Sequence, residues 1–70
     1  MTTSNMTIKL NGTPHDVPEG TTVADLVAQS NLSPDKVAVE LNRRLLRTDK
    51  YATPLKDGDE VEIVTFVGGG

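Results

Sequence analysis

Apolar and polar residues alternate through Met6-Thr7-Ile8-Lys9-Leu10, which predicts a half-buried strand. Asn11-Gly12 follows, and both residues tolerate the positive φ that a two-residue type I′ hairpin turn needs. Thr13 to Val17 is then the return strand. Its poor apolar content marks it as a sheet edge. Pro18-Glu19-Gly20 breaks the chain. Beyond it the period changes: Val23, Leu26 and Val27 have the i, i+3, i+4 spacing of one buried helical face. Thr21 or Thr22 can cap this helix. Asp25, three residues after Thr22, can satisfy orphan amides at its start. Asn31 is the expected stop and Pro34 prevents continuation, so the helix covers about Val23 to Ser30.

Lys36 to Asn42 reads as a further strand region, with Val37, Val39 and Leu41 on one face. Arg43-Arg44 is a polar connection, Leu45-Leu46 a short returning strand, and Asp49 to Pro54 irregular. Asp57-Gly58 signals a turn. Glu60 to Val67 is the last strand, with Val61, Ile63 and Val67 on one face and Glu60, Glu62, Val64 and Phe66 on the other. One helix can cover only one face of such a sheet, which predicts an α+β arrangement with a small mixed sheet. The expected organisation is a disordered leader over 1–5, one domain over 6–67 and a flexible glycine tail over 68–70. Met6 is a candidate alternative start.

Composition narrows the function. A chain of 70 residues makes one small domain of marginal stability. It has no cysteine, so disulfides, zinc-thiolate sites and a thiol nucleophile are excluded. Ten acidic residues against seven basic ones, and only one tyrosine and one phenylalanine, argue against nucleic acid as a partner. No apolar run has the length of a membrane span, and Met1-Thr2-Thr3-Ser4-Asn5 lacks the features of a secretory signal. The cytoplasm is the expected location.

Few side chains suggest chemistry of their own. His15, the only histidine, is read as a solvated edge residue. Asp57, Asp59, Glu60 and Glu62 read as a solvated turn followed by the polar face of a strand. Arg43, Arg44, Arg47 and Lys50 read as a charged hairpin turn. No phosphate-binding glycine motif is present, and no catalytic or metal-binding constellation is identified. Val64 and Phe66 point away from the expected core. They fit ordinary exposure or a docking patch equally well. The closing Gly68-Gly69-Gly70 fits a frayed end or a cloning remnant. It also fits a working tail. Glycine has no Cβ, so its backbone can pass through a slot that excludes other residues. Three residues reach about 10 Å when extended. They end in an uncrowded carboxylate suited to attack the α-phosphate of ATP held in another protein's cleft.

The set of local patterns, in order, carries a resemblance. The stretches are Ile8-x-Leu10-Asn11-Gly12, Thr22-Val23-Ala24-Asp25-Leu26, Val37-Ala38-Val39-Glu40-Leu41-Asn42, Leu55-Lys56-Asp57-Gly58-Asp59-Glu60-Val61-Glu62-Ile63-Val64 and Phe66-Val67-Gly68-Gly69-Gly70. From Met6 to Gly70 the chain resembles the ThiS-type sulfur carriers of thiamine (thiazole) biosynthesis, which have a ubiquitin-like β-grasp fold. Gly69 and Gly70 meet that family's pattern. Arg43-Arg44 departs from the small residue expected after Asn42 and leaves the tightness of that turn open.

The resemblance implies a carrier and cosubstrate rather than an enzyme. A partner ThiF-type adenylyltransferase, which itself binds ATP and Mg²⁺, would adenylate the Gly70 carboxylate. A sulfur donor would displace AMP, and the Gly70 thiocarboxylate would pass its sulfur to thiazole synthase. No cofactor is expected on this chain. Gly68, Gly69 and Gly70 would enter the partners' active sites, while Val64, Phe66 and Val67 would dock the body outside. Rival readings are a carrier of the molybdopterin synthase small-subunit type, a ubiquitin-like modifier, and a β-grasp interaction module.

Overall fold

The computed structural model describes residues 4–66. Their order is β1 (Asn5–Leu10), β2 (Thr13–Pro18), α1 (Val23–Gln29), a 3₁₀ turn (Pro34–Lys36), β3 (Val37–Leu41), β4 (Arg44–Leu46), a second 3₁₀ turn (Thr48–Lys50) and β5 (Glu60–Thr65). The five strands form one mixed sheet in the order β2-β1-β5-β3-β4. β5 runs parallel to β1 and antiparallel to β3. β2, with few apolar residues, is an edge as expected.

Local chemistry explains the boundaries. Asn11 and Gly12 both have positive φ and close the β1–β2 hairpin, with Leu10 opposite Thr13. Thr22 caps α1: its hydroxyl accepts from the Asp25 amide at 3.1 Å, while the Asp25 carboxylate accepts from the Thr22 amide at 3.0 Å. Asn31, at φ 60°, ends the helix. Its amide bonds the Ala28 carbonyl and the Leu32 amide bonds the Val27 carbonyl, a Schellman closure that returns Leu32 to the core. The helix therefore stops at Gln29, with Ser30 as its cap rather than its last residue.

The ladder reaches further back than the apolar pattern does. Asn5 belongs to β1, and the Ser4 carbonyl accepts from the Glu19 amide. The expected leader over 1–5 thus loses Ser4 and Asn5 to the strand pairing, because a backbone ladder needs no apolar side chain. β5 ends at Thr65, and Val67 lies outside the described residues.

The core lies between the sheet and α1. Met6, Ile8, Val17, Val37, Val39 and Val61 face Val23, Leu26 and Val27. Tyr51, from the Asp49–Pro54 segment expected to be irregular, and Leu55, just after it, complete it. That segment is tied to the helix start: the Tyr51 carbonyl accepts from Ala24, and the Thr21 carbonyl accepts from Leu55 at 2.8 Å.

The β3–β4 hairpin makes its connection one residue earlier than the expected Arg43-Arg44. Leu41 pairs directly with Arg44, so the turn has only two residues, Asn42 (φ 53°) and Arg43 (φ 70°). It is tight although Arg43 is not glycine. A residue with a Cβ pays about 1–2 kcal/mol in this left-handed conformation. Arg43→Gly removes that cost at the expense of a more flexible unfolded chain. The expected net gain is about 0.5–1 kcal/mol, measured as a higher urea midpoint with unchanged m.

Candidate functional site

The last strand organises the candidate site. β5 is held at its base by two turn asparagines. On the β1 side, the Asn11 amide donates to the Val61 carbonyl at 2.9 Å, and Asn11 Oδ1 accepts from the Ile63 amide at 2.8 Å. On the β3 side, the Asn42 amide donates to the Glu60 carbonyl at 2.7 Å, and Asn42 Oδ1 accepts from the Glu60 amide at 2.9 Å. In both turns the left-handed backbone turns the asparagine side chain onto the neighbouring strand.

The acidic run divides by role. Asp57 Oδ1 accepts from the Thr7 amide at 2.8 Å, and Gly58 donates to the Thr7 carbonyl at 2.8 Å. Asp59 accepts from the Lys56 amide at 2.8 Å and from Asn42 Nδ2 at 3.1 Å. These two aspartates staple the turn. Glu60 and Glu62 lie beyond it on the sheet face away from α1. Glu60 meets the exposed Arg43 at 3.7 Å, while Arg47 meets Asp49 at 3.6 Å, so these two arginines each have their own acid. His15 is exposed on β2 opposite Ile8. Among the described residues, no group of three or more His, Asp or Glu side chains is placed to hold a metal ion. No helix among them is long and apolar enough to cross a membrane.

The sheet face opposite α1 carries the apolar patch. Val64 is 54% exposed and Phe66 63% exposed, as the alternation predicted. The structure adds Leu45, 71% exposed on β4. Leu45 stands opposite Glu40, Glu40 opposite Glu62, and Ala38 opposite Val64. Ala38, Val64, Leu45 and Phe66 thus share one uncovered face with three glutamates. Sequence reasoning missed Leu45 because its side follows from register: Leu46 pairs with Val39 on the core side. Val67, Gly68, Gly69 and Gly70 lie outside the described residues.

Comparison with known proteins gives this geometry a context. The profile of the ThiS family matches residues 8–70. A thiazole synthase from Magnetococcus marinus is 42% identical over 66 residues, covering 93% of this chain and 20% of that protein. The chain therefore spans about a fifth of the length of that relative. The sulfur carrier protein ThiS of Bacillus subtilis is 42% identical over 50 residues, 70% of this chain and 76% of that one. Among solved structures, the thiamine biosynthesis protein ThiS from Geobacter metallireducens superposes with a TM-score of 0.75 at 38% identity, covering 93% of this chain and all of that one. A ubiquitin from Caldiarchaeum subterraneum, at 24% identity and a TM-score of 0.59 over 96% of this chain and 100% of that one, shares the fold. The architecture is the ubiquitin-like β-grasp.

The asparagine clamp can be tested alone. Asn11→Gly keeps the positive φ and removes Oδ1. It is expected to cost about 1 kcal/mol and to speed hydrogen exchange at the Ile63 amide, while the Val61 carbonyl keeps its bond from the residue 11 backbone.

Proposed function

This chain belongs to the ThiS family, and we propose from that premise that it carries sulfur for assembly of the thiamine thiazole ring. The observation that carries the reading is the span of the family match, which runs through the glycine tail to Gly70. Relatives named as a sulfur carrier and as a thiazole synthase support the carrier role and its acceptor. The body fits a cosubstrate: Asn11, Thr22, Asp25, Asn42, Asp57 and Asp59 serve turns and caps, and its uncovered face suits docking.

The chemistry follows from what a carboxylate lacks. It is a poor acyl donor because oxide is a poor leaving group. Attack by a Gly70 carboxylate oxygen on the α-phosphorus of ATP expels pyrophosphate and forms an acyl adenylate. Sulfide then attacks the carbonyl carbon and AMP departs, leaving the thiocarboxylate. If a persulfide attacks instead, it forms an acyl disulfide, which a second thiol must reduce to release the same product. The partner adenylyltransferase supplies the ATP and Mg²⁺ site. Gly69 and Gly68 let the backbone reach the phosphate without a side chain in the way. The patch of Leu45, Val64 and Phe66 holds the body outside the active site. Val67 is proposed to join that contact. Thiazole synthase takes the sulfur and returns a Gly70 carboxylate for reloading.

Intact-mass measurement tests this directly. After incubation with an adenylating enzyme, ATP and a sulfur source, the chain is expected to gain the mass difference between sulfur and oxygen. A chain lacking Gly69 and Gly70 is expected to gain nothing. Covalent conjugates to lysines would identify a modifier instead and overturn the reading. Gly69→Ala is expected to slow adenylation by about 100-fold through misplacement of the carboxylate. Phe66→Ala and Leu45→Ala are each expected to weaken adenylyltransferase binding about tenfold and to leave the melting temperature nearly unchanged, because both side chains are mostly exposed.

A further inference from the structure

The two ends of β5 have different surroundings. Near its base it is a central strand, paired with β1 through Lys9–Glu60 and Leu10–Val61. β1 then turns away at Asn11-Gly12, and the side chain of Asn11 takes the Ile63 amide in place of the next ladder bond. The antiparallel pairing with β3 continues to Val37–Thr65, and the Phe66 amide donates to the Lys36 carbonyl at 3.0 Å. The bonds at Glu60 and Phe66 show that even-numbered residues of β5 direct their backbone groups to β3. Odd-numbered residues direct theirs to the β1 side, as the bonds at Asp59 and Val61 show. Thr65 is therefore aimed where β1 no longer runs. Among the described residues its N–H has no partner.

Three edges of this sheet can be compared. The β2 edge is blunted by Pro14, Asp16 and Pro18. The β4 edge is three residues long and carries Arg44. Both devices discourage pairing with a foreign strand. The far half of β5 with the residue that follows it, Ile63-Val64-Thr65-Phe66, has neither charge nor proline and consists of β-branched and aromatic residues. It also leads straight to the tail. The four residues after Phe66 span at most about 14 Å. An enzyme that takes Gly70 into its active site must therefore bring its own backbone close to Thr65.

We propose that the β1-side edge of β5 at Ile63–Thr65 is a strand-addition site for an extended segment of the adenylating enzyme, which hydrogen-bonds the Thr65 backbone and extends the sheet across the end of β1. The proposal rests on the sulfur-carrier reading of Gly70 and names the main-chain part of its docking. Main-chain pairing would fix the direction in which the tail leaves, while the open-face patch supplies the apolar contact.

Amide hydrogen exchange at single-residue resolution tests it on the intact chain. In the free protein the Thr65 amide is expected to exchange near the unprotected rate, with the Phe66 amide protected as an internal reference. In complex with the adenylating enzyme, Thr65 is expected to slow by at least about 100-fold. A synthetic chain N-methylated at Thr65 loses only the outward donor, so it is expected to melt as the parent does and to bind the enzyme about tenfold more weakly. Thr65 exchange unchanged by the enzyme, or N-methylation without effect on binding, overturns the proposal. Concentration-dependent Thr65 protection in the isolated chain assigns the edge to a second copy and also overturns it. Sulfur loading is read separately by intact mass. Loading that persists with unaltered binding sinks the edge alone, whereas absence of loading in the parent sinks the carrier reading and the proposal with it.

Discussion

The structure depends on the insertion of its last strand between its first and its third. β5 joins two hairpins that do not otherwise pair, and it does so from the far end of the chain: Asn11 bonds Ile63 across 52 positions. Without β5 the sheet falls into a β1–β2 ribbon and a β3–β4 ribbon, and two-stranded ribbons are marginal in water. Its core contribution is modest, with Val61 buried and Ile63 partly so. Its backbone contribution is what unites the domain. Both asparagine turns act at this junction, each extending a ladder by one side-chain bond where the neighbouring strand ends.

The helix covers one face, and the loop through Tyr51 and Leu55 seals the core where the helix is too short to reach. Among the described residues the opposite face stays open. For a proposed carrier this division is economical: one face makes a stable body, and the other is left for the proposed docking. The chemistry is then left to the terminus. The same strand serves both ends, since its base is clamped and its tip leads to Val67 and the glycines.

Much of this was legible in the residues. Alternation marked β1 and β5, Asn11-Gly12 marked its turn, and Thr22 with Asp25 marked the helix start, because each is governed by neighbours within a few positions. The exposure of Val64 and Phe66 followed from period-two geometry. Tyr51 and Leu55 were not legible as core, because they stand alone in a segment without periodicity and are buried by distant partners. Leu45 needed the β3–β4 register. The left-handed Arg43 went against residue preference: pairing of Leu41 with Arg44 leaves two residues to make the turn, whatever their side chains prefer. The second role of Asn11 and Asn42 was hidden for a similar reason. A turn asparagine announces its backbone but not the distant amide its side chain will meet.

Glu40 on β3 and Glu62 on β5 stand directly opposite each other on the open face. Like charges so placed repel and slightly loosen the resting sheet. A cationic surface brought against them relieves that repulsion, and the field of exposed charges acts before contact is made. Charge of this kind quickens arrival more than it prolongs residence. The proposed carrier, which on that reading leaves one enzyme to reach another, gains from that asymmetry: it is gathered quickly at low ionic strength and is not thereby held.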